Sequence, residues 1–215
     1  MRVDLFAHFT TQEFRQEYLS IPLGAKGRRL DPLAIRTFVQ AQRTTDIEVL
    51  WDMEQRLRVL DRYGIDLQVL TLCFPIVGGL EPEEELRLAR MANDGLAEIV
   101  QRYPHRFLGV ATLPFSSPAE ALREFDRCVD SLGFKGFQIS SNVNGTLLDS
   151  SELFPIYEHA AQRGLLEPGW SPAFPGEDTG AGLTKWTSRS FLSRRYRVQV
   201  TQAIPRSGIL HEEGR

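Results

Sequence analysis

Apolar residues up to position 164 fall alternately into short continuous runs and into stripes with helical spacing. The runs lie at 3–9, 67–73, 107–113 and 136–140, and the stripes at 52–63, 81–103, 117–132 and 151–163. Runs with so few polar residues are typical of strands that are covered on both faces. Because a helix separates most of these strands, the pattern predicts an α/β fold with a parallel sheet, either doubly wound or closed into a barrel.

Local signals support the helix boundaries. Asp52 is suited to cap the helix at 52–63, and Gly64 is suited to end it. The last helix is expected to turn four apolar residues toward the core, namely Phe154, Ile156, Tyr157 and Ala160.

Two segments do not follow this alternation of strands and helices. Residues 10–51 are too long for an ordinary connection and predict a loop that lies over the carboxyl ends of the strands. Its basic cluster, Lys26, Arg28 and Arg29, either meets a carboxylated ligand or is a solvated surface. Residues 165–215 are rich in Pro, Gly, Ser and Arg, so we expect a folded unit at 1–164 and an irregular segment at 165–215, with one candidate edge strand at 196–200.

Composition narrows the function classes. A net charge of -3 spread over 215 residues gives no electrostatic case for nucleic acid, so a small organic molecule is the expected partner. No run approaches the roughly 20 apolar residues that cross a bilayer, and the first residues lack the layout of a signal peptide, so no membrane partner is expected. Cys73 and Cys128 are interpreted as two reduced thiols, which favours the cytoplasm.

Candidate chemistry begins at the end of the first strand. Alternation places Phe6 and His8 on one face of that strand, and a histidine in this position is typical of a metal ligand, although a hydrogen-bonded core residue is the alternative. Asn142 and Asn144 follow the fourth strand and are candidate substrate contacts, but Asn144-Gly145 is also an ordinary turn. The other histidines are interpreted as a helix cap (His105), a surface residue (His159) and a solvated residue (His211).

Five stretches of the chain carry a recognisable pattern: Val3-Asp4-Leu5-Phe6-Ala7-His8-Phe9, Tyr63-Gly64-Ile65-Asp66-Leu67-Gln68-Val69-Leu70, Tyr103-Pro104-His105-Arg106-Phe107 with Leu113-Pro114, Gly133-Phe134-Lys135-Gly136-Phe137-Gln138-Ile139 followed by 141–145, and Pro155-Ile156-Tyr157-Glu158-His159-Ala160. In this order they resemble the amidohydrolase-related family that contains aminocarboxymuconate-semialdehyde decarboxylase and other metal-dependent decarboxylases of aromatic acids. The resemblance implies a (β/α)₈ TIM-type barrel, here incomplete with about four βα units recognisable. It also implies a divalent metal, commonly zinc, and decarboxylation or hydrolysis of a small carboxylated cyclic or unsaturated substrate.

The ligand set that the resemblance implies is met here only in part. Members of the family hold the ion with two histidines of the first strand, a histidine of the fifth strand and an aspartate near the eighth, and a further histidine assists proton transfer. His8 matches the second histidine, and Phe6 stands at the first. Residues 166–169 stand where the third is expected, with Glu167 as a conceivable substitute carboxylate, and the later positions have no counterpart. No catalytic residue is assigned.

We therefore expect a truncated or degenerate copy whose metal-dependent chemistry is impaired. The alternative is a non-catalytic relative that acts as an oligomerising or interaction protein, since four strands of an eight-stranded barrel leave two open edges that a homo-oligomer could cover. A phosphate-binding doubly wound domain has little support, because no glycine-rich loop of the required spacing follows a strand.

Overall fold

The structure is a computed structural model, and it describes residues 1–163 apart from 73–75, 141, 144 and 145. The irregular segment predicted at 165–215, its candidate edge strand at 196–200, and Cys73 lie outside the described residues.

The predicted strands form parallel pairs. Strands β1 (Val3–Phe9), β2 (Leu67–Leu72) and β3 (Phe107–Gly109) make one sheet in that order, and β4 (Ala111–Thr112) pairs with β5 (Phe137–Gln138). The third predicted strand is thus interrupted at Val110, whose N–H still donates to the Leu70 carbonyl at 3.2 Å. The strand prediction is confirmed with two differences: this interruption, and a fourth strand that spans Phe137–Gln138 and not the whole of 136–140.

Six helices surround the strands in the described part of the chain. Asp52 accepts a hydrogen bond from the Gln55 N–H at 3.1 Å, and Gly64 ends the same helix with φ of 62°, as the sequence predicts. The helices are α1 (Gln12–Ser20), α2 (Pro32–Arg43), α3 (Met53–Tyr63), α4 (Pro82–Arg102), α5 (Pro118–Asp130) and α6 (Phe154–Gln162).

The prediction of a loop over 10–51 is wrong, because this segment contains α1, α2 and two short 3₁₀ helices. Thr11 caps α1 by accepting from the Phe14 N–H at 3.2 Å, and Asp31 caps α2 by accepting from the Ala34 N–H at 2.8 Å. Phe14 and Tyr18 of α1 are buried in a cluster with Leu88, Ala89 and Ala92 of α4, which supplies the free energy that two short helices lack on their own. The 3₁₀ helices span Thr44–Asp46 and Glu48–Leu50.

The three basic residues of this segment have different surroundings, so the cluster is not uniformly solvated and its side chains do not converge on one point. Arg28 is 2% exposed and donates to the carbonyls of Tyr18 at 2.5 Å and Ile21 at 2.8 Å. Its guanidinium carbon lies 4.1 Å from the centre of the Tyr18 ring. Lys26 is exposed, and Arg29 donates to the Ser116 hydroxyl at 3.1 Å. Arg28 therefore holds the end of α1 in place.

Apolar side chains on one face of the strands pack against the helices. Most of this core lies under α3, α4 and α5, and α6 joins it through Ile156 and Ala160. The inward orientation predicted for Phe154 is wrong, since that side chain is 47% exposed and Leu153 is buried instead. The strand residues on the helix side are Ala7, Phe9, Leu70, Phe107, Ala111, Phe137 and Ile139.

Beyond β5 the chain forms a small antiparallel hairpin. Strands β6 (Asn142–Val143) and β7 (Thr146–Leu147) pair with Val143 opposite Thr146. Asn144 and Gly145, where the sequence predicted a turn as the alternative to a substrate contact, lie outside the described residues.

Candidate functional site

The face of the strands that turns away from the helices carries a band of polar side chains. Because side chains alternate along a strand, residues next to the helix-facing ones point to this inner face. His8 of β1, Thr71 of β2, Thr112 of β4 and Gln138 of β5 lie there, with Val110 as an apolar neighbour. All four polar residues lie near the carboxyl ends of their strands, which is where parallel α/β folds place their sites.

His8 is hydrogen-bonded within this band. Its Nδ1 lies 2.9 Å from Thr71 Oγ1, and the two residues are opposite each other in the β1–β2 register. Burial lowers the pKa of His8 and the nearby Arg56 charge lowers it further, against a hydrogen bond with the Leu72 backbone and the charge of Asp4. The imidazole is therefore neutral near pH 7, and one ring nitrogen keeps its lone pair.

Phe6 lies directly beside that imidazole. The ring centres of Phe6 and His8 are 4.6 Å apart with an angle of 71° between the planes, an edge-to-face contact. A benzene ring thus stands at the position where the sequence resemblance predicts the first metal-binding imidazole. Phenylalanine has no lone pair to donate to an ion.

Arg56 fixes the backbone at His8 from the helix side. Its guanidinium donates to the His8 carbonyl, to the Val49 carbonyl at 2.9 Å and to Gln68 Oε1 at 3.0 Å, and the residue is 4% exposed. Sequence reasoning missed this role. The available signal is that Arg56 follows Met53 by three positions and therefore lies on the buried stripe of α3.

A second buried polar network lies behind β4. Asn93 of α4 bonds both backbone groups of Thr112, and its Nδ2 also donates to Glu124 Oε1 at 2.8 Å. Burial favours the protonated form of Glu124, but hydrogen bonds from Arg127 and Asn93 outweigh it and hold the pKa of this carboxyl below its ordinary value. Burial raises the pKa of the neighbouring Cys128 thiol, so this cysteine is protonated and unreactive.

The residues that the structure describes do not complete a metal site. Among them, no group of three or more His, Cys, Asp or Glu side chains is arranged to hold an ion. A catalytic zinc site ordinarily has three protein ligands, and of the predicted set only His8 falls in the described part. Glu167 and His211 lie outside the described residues.

The remaining candidate residues are not gathered around His8. His105 is exposed in the turn before β3, and His159 of α6 lies 2.7 Å from Asp126 of α5. Asn142 lies in β6, but its side chain is outside the described part, as is all of Asn144, so their substrate contacts stay predictions. No helix in the described ranges has the length and apolar character required to cross a membrane.

Comparison with known sequences finds relatives that are named as decarboxylases. Residues 7–166 match the family model described as Amidohydrolase. The chain is 40% identical over 116 residues to 2-amino-3-carboxymuconate-6-semialdehyde decarboxylase of Dictyostelium discoideum, which covers 53% of this chain and 32% of that protein. It is also 40% identical over 110 residues to gamma-resorcylate decarboxylase of Polaromonas sp., covering 51% and 32%. The matched region thus spans about a third of these curated relatives.

Solved structures give the same result for the fold. The chain aligns with 5-carboxyvanillate decarboxylase from Sphingomonas paucimobilis with a TM-score of 0.65 and 27% identity, over 77% of this chain and 50% of that one. It aligns with a dihydroxybenzoic acid decarboxylase from Polaromonas sp., solved with bound manganese, with a TM-score of 0.58 and 27% identity, over 77% and 48%. The described strands and helices are therefore part of a TIM-type barrel. With the family model matching most of its length, the chain belongs to the amidohydrolase family.

Proposed function

We propose that the chain has the framework and ligand class of a carboxy-lyase for small carboxylated aromatic or unsaturated compounds, with impaired metal-dependent chemistry. The ligand class is supported by the relatives, which are named as decarboxylases of aminocarboxymuconate semialdehyde and of gamma-resorcylate. A divalent metal is supported by the manganese in related decarboxylase structures, whereas zinc is supported only by the sequence resemblance.

The impairment rests on the contact between Phe6 and His8. The family resemblance implies an ion held by two imidazoles of the first strand. Here a benzene ring stands in place of the first imidazole, with its centre 4.6 Å from the centre of the His8 ring. Loss of one of about three protein ligands removes most of the affinity of a catalytic metal site. Without the ion there is no Lewis acid to polarise a carboxylate or to orient it for proton transfer.

The direct test measures release of carbon dioxide from 2,6-dihydroxybenzoate with manganese or zinc present. The unmodified chain and its His8→Ala variant are compared under the same conditions. We expect the two to be equally slow. Metal-dependent release that His8→Ala abolishes would overturn the impairment and identify a working lyase.

A second candidate function is assembly without catalysis. Among the described strands, β1 hydrogen-bonds only to β2 and β5 only to β4, so each has one edge that another chain or segment could pair with. Light scattering coupled to size exclusion is expected to give a discrete homo-oligomer under this proposal. A monomer with a single cooperative melt would overturn it.

Location in the cytoplasm stays a prediction.

A further inference from the structure

Two buried oxygen atoms on the inner face have no hydrogen-bond donor among the described residues. They are Thr112 Oγ1 and Gln138 Oε1. Thr112 of β4 and Gln138 of β5 are opposite each other in the parallel register, so their side chains project side by side. Buried polar atoms in folded proteins are nearly always hydrogen-bonded, so an adjacent pair of unpaired acceptors requires an explanation.

The fold itself does not use these two oxygens. The backbone N–H and carbonyl of Thr112 are both bonded to Asn93, so the threonine hydroxyl is not needed to satisfy the strand. Ala111 and Phe137, which precede them in the chain, supply the packing under α5. Thr112 is 8% exposed, which shields its hydroxyl from bulk water. The two oxygens are therefore available to accept hydrogen bonds from a group outside the described residues.

The chemistry of the pair limits what can occupy it. An amide oxygen only accepts hydrogen bonds, so Gln138 Oε1 requires a hydrogen-bond donor on the ligand, and the Thr112 hydroxyl can accept from the same group. Val110 precedes Thr112 by two positions, so its side chain lies on the same face. It is fully buried and adds an apolar surface beside the two oxygens. A neutral hydroxyl on an aromatic ring satisfies both requirements, since it donates to the oxygens and packs its ring on the apolar side.

We propose that Thr112 Oγ1 and Gln138 Oε1 form a subsite that binds a phenolic hydroxyl group of an aromatic ligand, and that it does so without a metal ion. The choice of an aromatic ligand rests on the proposed function. The subsite lies on β4 and β5, and its two oxygens are not among the metal ligands that the family resemblance implies.

The test is an NMR titration of the full chain, in the presence of a metal chelator, with resorcinol and with 1,3-dimethoxybenzene. The two probes share a ring, but only resorcinol carries hydroxyl donors. The variants Thr112→Val and Gln138→Leu keep the side-chain size and remove the acceptors, and Gln101→Leu on the exposed side of α4 is the matched control. We expect the unmodified chain and Gln101→Leu to bind resorcinol at least about tenfold more tightly than the diether, and the double variant Thr112→Val with Gln138→Leu to lose that preference.

The melting temperature provides an independent measurement. Replacing an unpaired buried polar group with an apolar one of similar shape is nearly neutral or stabilising, so the double variant should melt at the same temperature or higher. Equal resorcinol binding by the double variant would overturn the proposal, and so would a clear drop in its melting temperature, because the oxygens would then have partners within the protein.

This result is separable from that of the lyase test. Resorcinol has no carboxylate and the titration contains no free metal, so hydroxyl-dependent binding stands even if carbon dioxide release is never observed. Conversely, a double variant that still binds resorcinol more tightly than the diether would overturn the subsite, whatever the carbon dioxide test shows.

Discussion

Asn93 takes the place of a neighbouring strand beside Thr112. Its Nδ2 donates to the Thr112 carbonyl at 2.9 Å, and the Thr112 N–H donates to Asn93 Oδ1 at 2.8 Å. The ladder between β2 and β3 ends at the pair Leu70 and Gly109, so beyond it a side-chain amide from α4 completes the hydrogen bonding of β4. One side chain therefore fixes the carboxyl end of the third barrel strand, where the inner polar band lies.

Replacing Asn93 with leucine should strongly destabilise the fold. The change leaves two buried backbone groups of Thr112 unpaired and removes a hydrogen bond to Glu124, which together cost about 2–4 kcal/mol. Urea denaturation of Asn93→Leu measures this free energy of unfolding, and Gln101→Leu on the same helix should change it by less than about 0.5 kcal/mol. A loss below about 1 kcal/mol for Asn93→Leu would contradict the assigned role.

Glu124 should stabilise the protein only while it is ionised. Hydrogen bonds from Arg127 and Asn93 overcome the effect of burial and lower the pKa of Glu124 in the folded state. Its contribution is therefore present above the unfolded pKa and is lost as the pH falls through the folded one. Glu124→Gln should destabilise the protein by about 1–3 kcal/mol near neutral pH and by less in acid. Denaturation curves across this pH range check the sign, and a pH-independent difference would rule it out.

Glu85 should show the opposite pH dependence. This residue is 2% exposed, and burial raises its pKa despite opposing hydrogen bonds from Ser116 and the charge of Arg29. A carboxyl that binds its proton more tightly when folded contributes stability below the unfolded pKa, and this contribution is lost as the pH rises through the folded pKa. The free energy of unfolding of Glu85→Gln should thus rise relative to the unmodified chain on going from acid to neutral pH. The same curves measured for Glu124→Gln are the matched control, and parallel pH profiles for the two variants would refute at least one of the two assignments.

Gly79 should be required for the contact between the turn after β2 and helix α2. Its φ is 81°, and a β-carbon there would lie 2.7 Å from the Ala34 Cα and 2.8 Å from the Ala34 nitrogen. Gly133 has a similar φ of 73° but nothing within 4 Å of such an atom. Gly133→Ala therefore carries only the backbone cost of about 1 kcal/mol, and Gly79→Ala should cost at least about 2 kcal/mol. Equal losses in thermal or urea denaturation would show that α2 is not packed on this turn.

Elements with strong local signals were predictable from the sequence. Helix α3 carries both a cap at Asp52 and a left-handed stop at Gly64, and β2 is a continuous apolar run, so each could be located without tertiary information. Helices α1 and α2 were missed because the Gly- and Pro-containing stretch between them hides their periodicity. Helix α1 is stabilised by burial against α4, which lies far away in the sequence, and α2 by its packing on α1, where the Tyr18 hydroxyl donates to Thr37 Oγ1 at 2.9 Å.

The site likewise contains features that local sequence signals predict and features that depend on distant contacts. Strand alternation alone placed Phe6 and His8 on one face, and their ring contact agrees with it. Arg56 and Asn93 could not be assigned in this way, because each is a polar residue on an otherwise apolar helical stripe whose partners come from distant strands. A buried polar position on a helix is visible in a sequence, but the group that satisfies it is not.

Elemental analysis of metal content per chain is the most direct test of the central claim that Phe6 impairs the metal site at His8. The protein is purified without added metal, equilibrated with manganese or zinc, and freed of unbound ion. We expect far less than one equivalent of either metal, with no difference between the unmodified chain and His8→Ala. A content close to one equivalent that is lost in His8→Ala would contradict it, because the ion would then be held at His8 despite the phenylalanine beside it.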